Sequence, residues 1–152
     1  MTKWHPRRPP RPGVDEYGRT PLHYAAGDGD PARVAALLNA GYDPNLQDDD
    51  GFTPLHSAAQ ASAAAVAELL LEAGEAVDVA DAWGNTPLDR AMFSSRGDGA
   101  LIRLLRVRGG DPYRENNHGV SPLSLARTIA NHDVPQFFAD LPGKPMAPPR
   151  SA

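Results

Sequence analysis

A chain of 152 residues is long enough for one domain with a substantial core and too short for two domains of ordinary size. Its apolar fraction of 41% and charged fraction of 22% are near globular averages, which argues against a disordered chain, and the absence of cysteine excludes disulfides, thiolate metal sites and cysteine nucleophiles. No apolar run is long enough for a membrane span, and no apolar segment follows the basic N-terminus. We therefore expect a cytoplasmic protein that binds no membrane.

The net charge of −4 conceals an uneven distribution along the chain. Residues 1–12 carry four basic residues and no acid, residues 13–100 carry four arginines against fifteen acids, and residues 101–152 carry seven basic residues against four acids. An acidic body between two basic ends favours a protein partner with a basic contact surface over nucleic acid.

The first segment of the chain, residues 1–13, is predicted to be a flexible basic arm. Four prolines fall within it, and proline at that density precludes a helix and favours an extended chain. The arm also combines four cations with Trp4, so a contact with nucleic acid, in which Trp4 stacks on a base, is an alternative to a purely solubilising role. Residues 142–152 have a similar proline density and are predicted to form a second flexible tail.

Between the two tails, residues 14–141 contain a motif that recurs four times. It consists of a glycine, one variable residue, Thr or Ser, proline and leucine, and its copies begin at Gly18, Gly51, Gly84 and Gly119. The first three glycines are 33 residues apart and the last step is 35 residues. Apolar pairs recur between these motifs, and a second glycine follows in each of the first three copies. Each copy is therefore predicted to be one structural unit.

Each part of the motif predicts a local structure. The first glycine predicts a turn with positive φ, and Thr or Ser before proline is the pattern of an N-cap followed by the first helical residue. A second helix carries the apolar pair and ends at the second glycine. Because neither short helix can bury its apolar face alone, the units are expected to stack, burying the leucine of each motif: Leu22, Leu55, Leu88 and Leu123.

The run Thr20-Pro-Leu-His-Tyr-Ala25 and its counterpart Thr53-Pro-Leu-His-Ser-Ala58 resemble the ankyrin motif T-P-L-H-x-A, and Gly41-Tyr-Asp-Pro-Asn45 resembles the loop Gly-Ala-Asp-x-Asn of that family. The resemblance covers roughly residues 15–141. It implies an all-α ankyrin-repeat solenoid of four helix-turn-helix repeats with β-turn tips. The repeats are placed at about 15–47, 48–80, 81–115 and 116–141.

Three repeats depart from this pattern. Repeat three has Asp89 where the first two repeats have histidine, and a two-residue insertion near residues 93–99 should lengthen the loop between its helices. Repeat two has the alanine-rich run 61–66 where a glycine would separate the helices, so a less sharp junction is expected there. Repeat four ends after Phe138 and is expected to act as a C-terminal cap.

No residue pattern in the chain predicts catalysis, a cofactor or a metal site. The resemblance places His23 and His56 where the ring hydrogen-bonds to the backbone of the neighbouring repeat, and neither has a second ligand at helical spacing. The run Asp48-Asp49-Asp50 lacks the alternating ligands of a calcium loop and is expected to form an exposed acidic turn tip. We therefore expect a protein that is not an enzyme and binds no cofactor, metal or small-molecule substrate.

The resemblance implies a cupped shape, whose contact surface consists of the turn tips and the exposed sides of the first helices. The partner-binding residues carried over by position are Tyr17, Arg19, Asp28, Asp49, Asp50, Phe52, Gln60, Trp83, Asn85, Phe93, Asn117 and His118. Four of them are large aromatic residues at places predicted to face solvent, and aromatic anchors flanked by acids are typical of a binding hot spot. The alternative interpretation is that each ring packs flat on the neighbouring turn.

Composition adds an indication of the setting, because thirteen arginines against two lysines are typical of a chain encoded by GC-rich DNA. The chain resembles the small free-standing ankyrin-repeat proteins of bacteria, some of which are immunity proteins that block a toxin. The resemblance implies a protein-binding module, monomeric when alone, whose concave acidic and aromatic face covers a basic partner, with neutralisation of a bacterial toxin as the leading hypothesis. The alternative is a regulatory adaptor that tethers nucleic acid or an acidic protein through the basic arm.

Overall fold

The structure, a computed structural model, describes residues 12–95, 99–128 and 135–141. Within these ranges the chain forms helices and turns and no strand, which confirms the predicted all-α fold. The elements in chain order are α1 (Pro21–Gly27), α2 (Pro31–Asn39), α3 (Pro54–Gln60), α4 (Ala64–Glu72), α5 (Pro87–Ser94), α6 (Ala100–Val107), α7 (Pro122–Thr128) and a 3-10 helix (Pro135–Phe138).

The first helix of each unit begins where the sequence predicts, with Thr or Ser directly before proline. Thr53 shows how: its Oγ1 accepts the N–H of His56 at 3.4 Å, and the Nδ1 atom of the His56 ring accepts the N–H of Thr53 at 3.1 Å. Asp89 takes the place of histidine in repeat three, since its Oδ2 accepts the N–H of Thr86 at 2.9 Å. The change from His to Asp therefore keeps the helix cap.

The helices pack in two layers. The first helices of successive units, α1, α3, α5 and α7, contact one another in order, and the second helices α2, α4 and α6 do the same. Small residues such as Ala25 and Ala58 are completely buried in the first layer, which lets these helices approach closely. All four motif leucines are at most 3% exposed, which confirms their predicted burial: Leu22, Leu55, Leu88 and Leu123.

Each turn tip is built on one acidic or amide side chain, and the tips are joined to one another. Asp48 Oδ1 accepts the N–H groups of Asp50 and Phe52, both at 2.9 Å, and the same pattern recurs at three equivalent positions: Asp15, Asp81 and Asn116. Backbone hydrogen bonds of 2.9 to 3.0 Å then connect successive tips, from Asp49 to Tyr17, from Ala82 to Asp50 and from Asn117 to Trp83. The tips therefore form a continuous ladder along one edge of the solenoid.

The junction between α3 and α4 is sharper than the sequence predicts. Ser62 adopts a left-handed conformation with φ of 53°, which is uncommon for a residue other than glycine, and its Oγ donates to the carbonyl of Ser94 at 2.7 Å. The expectation of a less distinct junction in the alanine-rich run was therefore wrong. Ser62 thus adopts the left-handed conformation that glycine would favour at this position, and it does so while hydrogen-bonded to the next repeat.

The other departures from the repeat are consistent with the sequence. Five residues separate α5 from α6, against three between α1 and α2, which confirms the longer loop of repeat three. After α7 the chain forms the 3-10 helix, and the carbonyl of its residue Phe137 accepts from Arg106 at 2.6 Å. The predicted arm and tail lie almost entirely outside the described residues.

Candidate protein-binding face

The predicted contact residues lie at the turn tips and at the ends of the first helices, a surface that we call the concave face after the cupped shape that the family resemblance implies. It consists of the turn tips and the C-terminal ends of α1, α3 and α5. The ends of the helices contribute Asp28, Gln60 and Phe93, and the tips contribute Tyr17, Arg19, Asp49, Asp50, Phe52, Trp83, Asn85, Asn117 and His118. Nine of these residues are exposed, whereas Arg19, Phe52 and Asn85 are half-buried.

Three of the four predicted aromatic contacts present a large open surface. Tyr17 is 55% exposed, Trp83 is 45% exposed and Phe93 is 65% exposed. Exposed aromatic residues of this size are the usual anchors of protein interfaces, because they bury much apolar area and lose little side-chain entropy on binding. These three residues therefore remain candidates for direct contact.

Phe52 differs from the other three, because it packs within the protein. Its ring lies 5.5 Å from the ring of His56 in an edge arrangement and 6.1 Å from the ring of Trp83. The guanidinium of Arg90 lies 4.9 Å from the Phe52 centroid on the α5 side. The prediction that Phe52 faces solvent freely was therefore wrong, and the alternative interpretation, packing on a neighbouring turn, describes this residue.

Arg19 is held in a fixed position at the first tip. Its Nε donates to Asp48 Oδ2 at 3.1 Å, and its guanidinium lies 5.4 Å from the ring centroid of Tyr17 and 5.9 Å from that of Tyr24. The hydroxyl of Tyr24 in turn donates to Asp15. Arg19 thus joins two aromatic rings to the second tip, and Tyr24 belongs to this face although sequence reasoning did not assign it.

The acids of the concave face fall into two groups. Asp48 and Asp81 are buried and form ion pairs with Arg19 and Arg90 at 3.1 and 2.8 Å, so their charges are compensated within the protein. The expectation that Asp48 forms part of an exposed tip was therefore wrong. A second group is exposed at the tips of the first two repeats and at the end of α1: Glu16, Asp49, Asp50 and Asp28.

A groove of about 310 Å³ crosses the concave face between α1 and α3. The small residues Gly27, Ser57 and Ala61 line the groove and leave space for it, and Gln60 and Asp28 line it as well. The groove is open to solvent along its length and is lined by both polar and apolar groups. Such a shape suits a segment or a side chain of another protein better than an enclosed small molecule.

Two of the predicted contact residues also hold the repeats together. Asn85 Oδ1 accepts from the side-chain amide of Asn116 at 3.0 Å, and the side chain of Asn117 donates to the carbonyl of Ala82 at 3.1 Å. His118 is exposed, and its backbone N–H donates to Asn116 Oδ1. Asn85 and Asn117 therefore contribute to the tip ladder, whereas His118 presents its side chain to solvent.

The buried histidines are structural. The Nε2 atoms of His23 and His56 lie 2.9 and 3.0 Å from the carbonyls of Phe52 and Asn85 in the next repeat, as the family resemblance implied. Burial lowers the pKa of both imidazoles, so both rings are neutral near pH 7. Among the residues that the structure describes, no group of three or more His, Asp or Glu side chains is placed to hold a metal ion.

The tip acids are the feature that sequence reasoning missed. An Asp or Asn stands three residues before the first glycine of every repeat, at positions 15, 48, 81 and 116, and this period of 33 to 35 residues is visible in the sequence. A run of three aspartates in repeat two obscured it, because all three were interpreted as surface charge. Comparison of the four tips at a fixed distance from glycine would have separated Asp48 from Asp49 and Asp50.

Comparison with known families agrees with this architecture. The family model described as ankyrin repeats (3 copies) matches residues 22–116, which is more than half of the chain. A search of curated proteins finds no significant match. In the described part of the chain, no helix is long and apolar enough to cross a membrane.

Proposed function

The chain belongs to the ankyrin-repeat family, a family of protein-binding modules, and from that premise we propose that it binds a partner protein through its concave face and blocks the surface that it covers. The observation that carries this proposal is the fixed and exposed position of Trp83. The backbone N–H of Trp83 donates to Asp81 Oδ1 at 2.9 Å, and its backbone carbonyl accepts the backbone N–H of Asn117 at 3.0 Å. The backbone is therefore held on both sides while 45% of the residue is exposed. An anchor held in place before binding loses little entropy in a complex.

The charge of this face supports a partner with a basic contact surface. Exposed carboxylates stand at two adjacent tips, at Glu16, Asp49 and Asp50, and the segment from residue 13 to residue 100 has far more acids than bases. Acids of this kind attract a basic surface over several ångströms and accelerate association. Nucleic acid would be repelled by the same charges.

Blocking an active partner is the mode of action that we favour, and an immunity protein that neutralises a bacterial toxin is its concrete form. A rigid surface of stacked repeats can cover a catalytic cleft without any chemistry of its own. The proposal contains no catalytic step, because the buried carboxylates and histidines of the described residues serve as helix caps, tip ligands and links between repeats.

The proposal is tested by capturing the partner from the native cell with the full chain as bait and comparing bait variants. Trp83→Ala should lose the partner, while Val107→Ala, which truncates an 82% exposed residue on the second-helix layer, should retain it. If the partner is a toxin, co-expression of the chain should restore growth of cells that produce it. Equal capture by the Trp83→Ala bait would contradict the proposed face.

An adaptor role through the basic arm remains the alternative, because residues 1–12 carry four cations and no acid. Deletion of residues 1–12 distinguishes the two functions. Partner affinity should be nearly unchanged if the concave face carries binding, whereas a collapse of affinity with Trp83 intact would favour the adaptor.

A further inference from the structure

A row of side chains, exposed at both ends and half-buried between them, crosses repeats two and three. We call it the aromatic stripe: Trp83, Phe52, Arg90 and Phe93. The rings of Trp83 and Phe52 are 6.1 Å apart, and the Arg90 guanidinium lies 4.9 Å from the Phe52 centroid. Phe93 follows Arg90 by three residues on α5, so the two side chains lie on the same side of the helix. The stripe thus extends from a turn tip to the end of α5.

The stripe is held in place from beneath by a buried carboxylate. Asp81, whose side chain is completely buried, binds Arg90 through Oδ2 at 2.8 Å and the N–H of Trp83 through Oδ1 at 2.9 Å. The charge of Arg90 is therefore compensated within the protein, and its methylene groups add to the apolar surface. Trp83 and Phe93 nevertheless remain 45% and 65% exposed, so the stripe is a preorganised surface that is accessible to a partner.

The charges on the two sides of the stripe differ. On the side of repeats one and two, Asp49 and Asp50 are exposed at the adjacent tip and Glu16 at the tip beyond it. At the corresponding tip positions of repeats three and four the carboxylate is buried Asp81, and the exposed residues are Ala82, Trp83, Asn117 and His118. Exposed Arg114 and Glu115, of opposite charge, precede the tip of repeat four. A segment that crosses the stripe from repeat two to repeat four therefore meets a net negative charge on the side of repeats one and two, whereas the charges of Arg114 and Glu115 cancel on the side of repeat four.

We propose that the occupant of the aromatic stripe is a partner segment with two different ends, an apolar side chain seated on Trp83 and Phe93 and a Lys or Arg on the side of repeats one and two. This inference rests on the proposed function and adds the orientation of the partner to it. The reverse orientation places the cations beside uncharged amides, His118, and the opposite charges of Arg114 and Glu115, where there is no net negative charge to attract them.

A spin-labelled peptide tests this orientation directly. The probe is a short synthetic peptide with two lysines at one end, leucine and phenylalanine at the other, and a nitroxide beside the lysines, added to the isotope-labelled full chain. Broadening of amide signals by the nitroxide should be strongest at Asp49 and Asp50 and clearly weaker at Asn117 and His118, which lie two steps along the tip ladder. Trp83→Ala and Phe93→Ala should each weaken peptide affinity about tenfold, and the matched control Val107→Ala should leave it unchanged.

Strongest broadening at Asn117 and His118, equal broadening at both ends, or no saturable binding would overturn the inference. The double variant Asp49→Asn with Asp50→Asn provides a second readout, because it should abolish the difference in broadening between the two ends of the face. If the captured partner requires Trp83 but the peptide binds in another orientation, only this inference is overturned, and the proposed function stands. A partner that requires the second-helix layer instead would overturn the proposed function.

Discussion

Glu75 shows how a single residue links this fold to pH. It follows α4 and is only 5% exposed, with Oε1 accepting the N–H of Leu55 at 3.1 Å and Oε2 lacking a hydrogen-bond partner. Burial raises the pKa of this carboxyl to about 8, and the nearby charge of Asp43 acts in the same direction. The side chain is therefore mostly protonated at neutral pH and serves as a neutral cap of α3.

The raised pKa of Glu75 predicts a stability that falls as pH rises. The folded state holds this proton more tightly than the unfolded state, so the contribution is complete below about pH 4.5 and is lost as the pH approaches about 8. Glu75→Gln mimics the protonated form and should be more stable than the parent by about 4–5 kcal/mol at pH 8.5, with little difference at pH 4.5.

Urea unfolding of the parent and the variant at both pH values measures this difference. Glu72→Gln is the matched control, because Glu72 is an exposed carboxylate on α4, and it should show no such pH dependence. A difference between the parent and Glu75→Gln that stays constant across the pH range would show that Glu75 titrates normally.

At the scale of the element, the sequence predicts helix starts well because they depend on local chemistry. Thr or Ser before proline specifies the N-cap and the first helical residue without help from the rest of the fold, as Thr53 and Thr86 illustrate. The left-handed turn at Ser62 could not be predicted in this way, because its hydrogen bond to Ser94 comes from the next repeat. The half-buried position of Phe52 was missed for the same reason, since its contacts with Trp83 and Arg90 also lie in the next repeat.

The tip ladder predicts that two substitutions of Asp81 reduce stability by very different amounts. Asp81→Ala removes the acceptor of two backbone N–H groups and the partner of Arg90, so it should reduce the free energy of unfolding by about 3 kcal/mol. Asp81→Asn keeps the acceptor, as Asn116 does in repeat four, and should cost clearly less. Equal losses for the two variants in urea unfolding would show that the tip bonds contribute little.

Stacking of α3 between α1 and α5 predicts how much stability is lost when a buried leucine is shortened. Leu55 is completely buried in the central first helix, and Leu55→Ala should lower stability by about 2–5 kcal/mol through lost contacts and a residual cavity. Val107→Ala, at an exposed position, should change stability by less than about 0.5 kcal/mol. A melting curve for Leu55→Ala that coincides with that of the parent would contradict the described packing.

At the scale of the whole molecule, stacking places the tips of successive repeats along one continuous edge. The tips are connected by hydrogen bonds from repeat to repeat, so residues far apart in sequence, such as Tyr17 and Trp83, lie along one edge. The family resemblance predicted most of the positions that face outward, with the exception of Phe52, and it did not predict that Asp48 and Asp81 are paired with arginines. Asp48 is compensated by Arg19 of the preceding repeat, 29 residues away in sequence, so this pair depends on the stack, whereas Asp81 is compensated by Arg90 of its own repeat.

The most direct test of the account is the kinetics of the complex with the captured partner, measured by surface plasmon resonance at several salt concentrations. Trp83→Ala should increase the dissociation rate constant by about thirtyfold, equivalent to roughly 2 kcal/mol, because a preorganised anchor is lost. Reversal of charge at Asp49 and Asp50 should slow association and reduce its dependence on salt. If changes at Glu68 and Glu72 on α4 abolish binding while Trp83→Ala has no effect, the partner binds the second-helix layer and the concave face is not the binding site.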